Sequence, residues 1–97
     1  MELKIQALHF DATEKLQAFV EKKMQRFARR NAEVSKAEFT LRVVKPETSL
    51  NKKVSLNVFV PGDTLHAEKT CDTFEEGVAQ VVEAVERALE KRKEKHR

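Results

Sequence analysis

Residues 53–70 read KVSLNVFVPGDTLHAEKT. Val54, Leu56, Val58 and Val60 alternate with Lys53, Ser55, Asn57 and Phe59, and a period of two marks a strand with one dry face. Pro61-Gly62-Asp63 is a tight turn, because proline presets φ and glycine accepts the positive φ that such turns require. Thr64–Thr70 alternates again, with Leu65 and Ala67 on one face, and reads as a short partner strand. The brief link makes the pair a hairpin. A hairpin alone is at best marginally stable in water, so the flanking sequence has to extend and cover it.

Upstream, Ala37, Phe39, Leu41 and Val43 alternate with Glu38, Thr40, Arg42 and Val44, a further strand. Lys45-Pro46-Glu47-Thr48-Ser49 is a polar loop, and Pro46 ends the ladder. Leu3, Ile5 and Ala7 form one face of a strand at the N-terminus. Between these strands, Leu16, Phe19, Val20, Met24 and Phe27 fall on one stripe of a helix over Glu14–Arg30. Thr13 is its preferred N-cap, with Asp11 and Glu14 as a competing capping box, and Asn31-Ala32-Glu33 ends it. Downstream, Thr73-Phe74-Glu75-Glu76 is a capping box in which Glu76 reaches back to Thr73. Val78, Val81, Val82, Val85 and Leu89 then make a second helical stripe. The order β-α-β-β-β-α predicts an α+β fold in two layers, a four-stranded sheet with both helices packed on one face. The helical crossover makes the first two strands parallel if they are neighbours.

Ninety-seven residues suffice for one domain with a modest core, so residues 1–97 are expected to form a single unit. No apolar run approaches the ~18 residues of a membrane span, and the alternating N-terminus is not a signal peptide. A single cysteine, Cys71, excludes an internal disulfide and agrees with a cytoplasmic setting. Paired carboxylates, a glycine-rich phosphate loop and a Ser/His/Asp set are lacking, so no catalytic residue, cofactor or small-molecule substrate is expected. His9, His66 and His96 have no carboxylate or cysteine at ligand spacing, so no metal is expected either. Cys71 reads as a small, partly buried residue and not a nucleophile. Phe59 lies on the face opposite Val58 and reads as a half-exposed strand aromatic, while Phe19 and Phe27 read as core.

The charge is unevenly placed. Lys22, Lys23, Arg26, Arg29 and Arg30 form an acid-free block of +5. Residues 87–97 hold Arg87, Lys91, Arg92, Lys93, Lys95 and Arg97 against Glu90 and Glu94, a net of +4. The chain carries only +3, so everything else sums to −6. With Leu16 at zero, Lys15, Lys22, Arg26, Arg29 and Arg30 lie at about 220° to 320° around the first helix. With Val78 at zero, Arg87, Lys91 and Lys95 lie at about 180° to 260°, and the glutamates take the other flank in both helices. Either block alone reads equally well as a solvated face with cations at a helix C-terminus. Two blocks on the same hand of two helices favour a polyanion, with the acidic flanks helping to fix orientation. The apolar stripe stops at Leu89, so the last two turns have little to pack on, and about 90–97 is expected to be a basic tail fraying near His96.

This order and these residues resemble the ribosome hibernation promoting factor family, also called ribosome-associated inhibitor A or sigma-54 modulation proteins. ELKIQALHFDATEKLQAFVEKKMQRF is similar to the family's opening strand, capping threonine and basic helix, with Lys23 and Arg26 in place. PGDTLHAEKT is similar to its hairpin, and Arg87, Leu89, Lys91 and Lys93 stand at family-like spacing. The chain departs at Ala7, where the family often has glycine, and around Asp72-Thr73-Phe74, where one extra residue keeps Val78 and Arg87 in register. The resemblance implies a ribosome-binding domain that occupies the messenger and transfer RNA channel of the small subunit, between head and body, and inhibits translation in stationary or stressed cells. Some members promote ribosome dimers; others silence single ribosomes. Longer members carry a further dimerisation domain, so this chain resembles the short form and is expected to be monomeric. The implied partner is the small ribosomal subunit and its rRNA, met by Lys22, Lys23, Arg26, Arg29, Arg30, Arg87, Lys91, Arg92, Lys93 and Lys95 through phosphate contacts. The alternatives are a double-stranded RNA-binding module and a protein-only modulator of transcription.

Overall fold

The computed structural model describes residues 1–44 and 50–95, with the side chains of Glu94 and Lys95 outside that description. The polar loop expected at Lys45–Ser49 and the fraying expected near His96 fall outside the described residues. The elements are β1 (Glu2–Leu8), α1 (Glu14–Arg30), β2 (Lys36–Val43), β3 (Lys52–Val60), β4 (Asp63–Cys71) and α2 (Phe74–Lys95). One four-stranded sheet runs β1-β2-β3-β4, with β1 parallel to β2 and the other pairs antiparallel. The parallel first pair and the expected order are both present.

The register aligns the apolar sets into rows. Leu3, Ala37, Val58 and Leu65 form one row across the sheet, and Ile5, Phe39, Leu56 and Ala67 the next. A slip of one residue in any strand would turn its apolar set into water, so burial fixes the register. Leu16, Val20, Met24 and Phe27 of α1 and Val78, Val81, Val82, Val85 and Leu89 of α2 are buried with this face in one core. Each such side chain contributes about 1.5–3 kcal/mol on burial, and the two stripes therefore dictate how each helix is rotated.

Local chemistry sets the element ends. Leu16 N–H donates to Thr13 Oγ1 at 3.1 Å, so Thr13 caps α1. Asn31 closes it, with its backbone N–H and its side-chain amide both donating to the Phe27 carbonyl at 3.0 Å. Pro61 and Gly62 alone link Val60 to its cross-strand partner Asp63, and Gly62 at φ 75° fits the type II pattern. Phe10, between β1 and α1, stacks on Phe74 at the start of α2, with centroids 4.5 Å apart and planes 12° from parallel. That contact ties the two helix entrances together.

Three expectations change. The partner strand is not short: β4 has 9 residues, as many as β3, and pairs as far as Cys71. Its apolar alternation stops at Ala67, but a backbone ladder can continue through polar residues at a sheet edge. Only half of the second capping box forms. Glu76 N–H donates to Thr73 Oγ1 at 3.1 Å, while the Glu76 carboxylate accepts instead from Gln80 Nε2 at 3.4 Å. The end of α2 also has more to hold it than the stripe implied. Arg92 donates to the Pro61 carbonyl at 2.7 Å and lies 3.9 Å from Asp63, and Lys93 lies 3.6 Å from Glu33. Polar side chains anchor the helix where apolar ones run out.

Gly77 lets α2 approach the sheet closely. A Cβ there would stand 2.6 Å from Val54 Cγ2, inside a fully buried cluster. Alanine is the better helix former, but here the overlap outweighs propensity. Gly77→Ala should lower unfolding stability by about 1–3 kcal/mol in a denaturant titration, whereas a propensity-dominated site would gain stability.

Candidate nucleic-acid interface

With Leu16, Val20, Met24 and Phe27 committed to the core, the basic residues of α1 are forced outward. Lys22, Arg26, Arg29 and Arg30 are exposed. Lys23, nearest the apolar stripe, is half-buried, and its ammonium sits 5.6 Å from the centroid of the Phe19 ring. Phe19 is itself only partly buried, so it is not the core residue the periodicity suggested. It floors a depression of about 210 Å³ walled by Lys22, Lys23 and Arg26. An apolar ring framed by three cations can take the sugar or base of a nucleotide while the cations meet its phosphates.

The basic residues of α2 do not join this patch directly. A groove between the helices is lined by Lys23, Arg26 and Arg30 on one wall and by Ala79, Val82, Glu83 and Glu86 on the other. The basic flank of α1 thus faces the acidic flank of α2. Arg30 reaches across to Glu86 at 3.9 Å, an exposed pair worth about 0–1 kcal/mol. Arg87 pairs with Glu83 of its own helix, one turn away. It lies on the far side, in a depression shared with Gln80, Ala84 and Lys69 of β4. Lys91 is exposed one turn further on.

The ten expected contact residues therefore divide. Lys22, Lys23, Arg26, Arg29 and Lys91 have no ion-pair partner among the described residues. Arg30, Arg87 and Lys93 are exposed but paired with carboxylates. Arg92 is clasped to the hairpin turn by Pro61 and Asp63 with its side chain 23% exposed, so its first role is to hold the helix end. Lys95 closes α2, and its side chain lies outside the described residues. Sequence reading missed Lys69. It continues the row Ala7, Leu41, Val54 and so stands on the helix face of the sheet, at the β4 edge beside Arg87. A lysine in phase with Leu65 and Ala67 was the available signal.

Other chemistry is sparse. Among the described residues no three His, Cys, Asp or Glu side chains gather as a metal site, and no helix is long and apolar enough to cross a membrane. Cys71 is buried, and burial, with help from Glu76 and Asp72 and against Lys69, pushes its thiol up from the ordinary range. Such a thiol is less ionised at neutral pH and poorly suited to nucleophilic work.

The family described as sigma 54 modulation protein / S30EA ribosomal protein matches residues 3–97. No curated protein matches the chain by sequence. Among solved structures, a ribosomal subunit interface protein from Coxiella burnetii is 26% identical, with a TM-score of 0.84, covering 96% of this chain and 98% of its own. The N-terminal domain of Protein Y from Thermus thermophilus superposes with a TM-score of 0.78 over 94% of this chain and 98% of its own. At 18% identity that second likeness speaks for the fold alone.

If Arg92 holds the end of α2, Arg92→Ala should speed hydrogen exchange of the amides in the last turns about fivefold while core amides keep their rates. The estimate takes about 1 kcal/mol for the lost hydrogen bond. Unchanged exchange at the helix end would assign that anchoring to other contacts.

Proposed function

The chain belongs to the sigma 54 modulation protein / S30EA ribosomal protein family, and from that premise we propose that it is a ribosome-binding hibernation factor. The family is one of ribosome-associated modulators and not of enzymes. In this reading residues 1–97 act as one cytoplasmic ribosome-binding domain, monomeric by itself. It occupies the messenger and transfer RNA channel of the small subunit and inhibits translation under starvation or stress.

The observation that carries the reading is the acid-free basic face of α1. Lys22, Lys23 and Arg26 frame Phe19 on a helix whose rotation is fixed by buried side chains. The helix fixes where these cations stem from, so only their side-chain rotamers are ordered on contact, and counterions released from the RNA drive binding. Arg87 and Lys69 share a second depression with Glu83, and the exposed Lys91 follows one turn on along α2. The acidic strip of Glu83 and Glu86 sets these cations apart from those of α1. Paired with Arg87 and Arg30, Glu83 and Glu86 leave the middle close to neutral, so it holds a phosphate backbone less well than either flank, which favours two RNA strands, one on either side. Two rRNA strands lining the subunit channel would meet that layout, and so would the two backbones of a duplex groove, so the test includes both.

The test is sedimentation with purified small subunits across a salt series. The logarithm of affinity should fall linearly with the logarithm of salt, with a slope near −0.8 for each phosphate neutralised, and Arg26→Ala and Lys91→Ala should each flatten it by about one. Protein left in the supernatant at low and moderate salt would defeat the proposal. Equal affinity for free duplex RNA would turn it towards a double-stranded RNA module.

A further inference from the structure

The sheet has a second face, with no helix on it. Across it run two mostly polar rows: Gln6, Thr40, Ser55 and Glu68 in one, and Arg42, Lys53 and Thr70, with the apolar Leu8 at the β1 edge, in the next. Arg42 and Lys53 are therefore direct cross-strand neighbours of like charge, an arrangement that is unfavourable by itself. Arg42 has no carboxylate within ion-pair distance among the described residues, and its Nε is buried without a hydrogen-bond partner. Lys53 has one, Glu68, at 3.4 Å. Both cations line a depression of about 280 Å³ together with Thr40, Ser55, Asn57 and His66.

We propose that this depression on the open face of the sheet is a phosphate-binding site centred on Arg42 and Lys53. Two facing cations gain from an anion between them, and a guanidinium without a carboxylate partner offers a phosphate planar N–H donors from its terminal nitrogens. The hydroxyls of Thr40 and Ser55 face each other in the adjacent row and add donors. Asn57 Oδ1 accepts from His66 Nδ1 at 2.6 Å, which leaves the Asn57 amide NH₂ as its donor end. Glu68 is the built-in competitor. It holds Lys53 and accepts from Ser55 Oγ at 3.2 Å, so a phosphate must displace it. The site does not depend on the reading given to the helices, which lie on the opposite face.

The experiment is a titration of ¹⁵N-labelled protein with inorganic phosphate at constant ionic strength. It follows the Arg42 Nε–H resonance and the amides of Thr40 and Ser55, with chloride as the control. A saturable shift is expected at all three. Arg42→Gln should weaken binding about tenfold, and Glu68→Gln should tighten it about threefold, because it removes a competing anion and not a ligand. Both positions are on the polar face, and dispersed spectra of each variant will report an intact fold. A second arm uses a single-stranded hexauridylate on protein carrying Lys22→Gln and Arg26→Gln, which weakens RNA contact on the helix side. A shift at Arg42 in that arm assigns the phosphate to an RNA strand; a response to inorganic phosphate alone assigns it to free phosphate or a nucleotide. The proposal is overturned if neither probe gives a saturable shift at Arg42, or if Arg42→Gln leaves phosphate binding intact. Because the readout is on the sheet face, its failure leaves ribosome binding by the helices standing.

Discussion

Phe39 of β2 and Leu56 of β3 face each other across the middle of the sheet, each buried to within 1% of its surface. The rest of the molecule follows from keeping that row dry. Ile5 and Ala67 extend it to the two edge strands, and two helices must lie over it. Each helix offers a single apolar stripe, so covering the row leaves only one rotation for each. Once rotation is set, the charges are set. Lys22, Arg26 and Arg29 face solvent because Val20, Met24 and Phe27 cannot. Gly77 lets α2 settle against Val54, which fixes its height above the sheet as the stripe fixes its rotation.

Stability and the proposed RNA contact therefore draw on different residues. The core is aliphatic and aromatic, while the cations sit on exposed flanks where their pairs are worth about 0–1 kcal/mol each. Arg92 is the exception, a cation spent on holding α2 to the hairpin turn. Because the α1 basic flank faces Glu83 and Glu86, the charges lining the inter-helix groove nearly cancel, while Lys22, Arg29 and Lys91 lie outside it. That layout suits two separate backbones better than one.

Most of the architecture was legible because it rests on period. Strict alternation located β1, β2 and β3, the stripes located both helices, and Thr13 and Thr73 marked their starts. The length of β4 was not legible, since an edge strand pairs through its backbone whether or not its side chains alternate. Phe19 was misread because a residue on the margin of a stripe can tip either way, and Lys23 stacked on it favours the surface. Of the proposed surface, the cations could be named from the sequence, but their grouping could not. Helical angles place Arg87 on a flank, but only packing shows that this flank adjoins Lys69 and turns away from α1. The facing of Arg42 and Lys53 depends on strand register, which periodicity leaves open.

If the dry row fixes where the cations point, charge governs binding and not folding. The most direct measurement takes one protein carrying Lys23→Glu, Arg26→Glu, Arg87→Glu and Lys91→Glu and determines its unfolding free energy and its affinity for small ribosomal subunits side by side. The account predicts stability within about 1 kcal/mol of the parent and an affinity lower by more than about a hundredfold. Unchanged affinity in a folded variant, or loss of the fold itself, would contradict it.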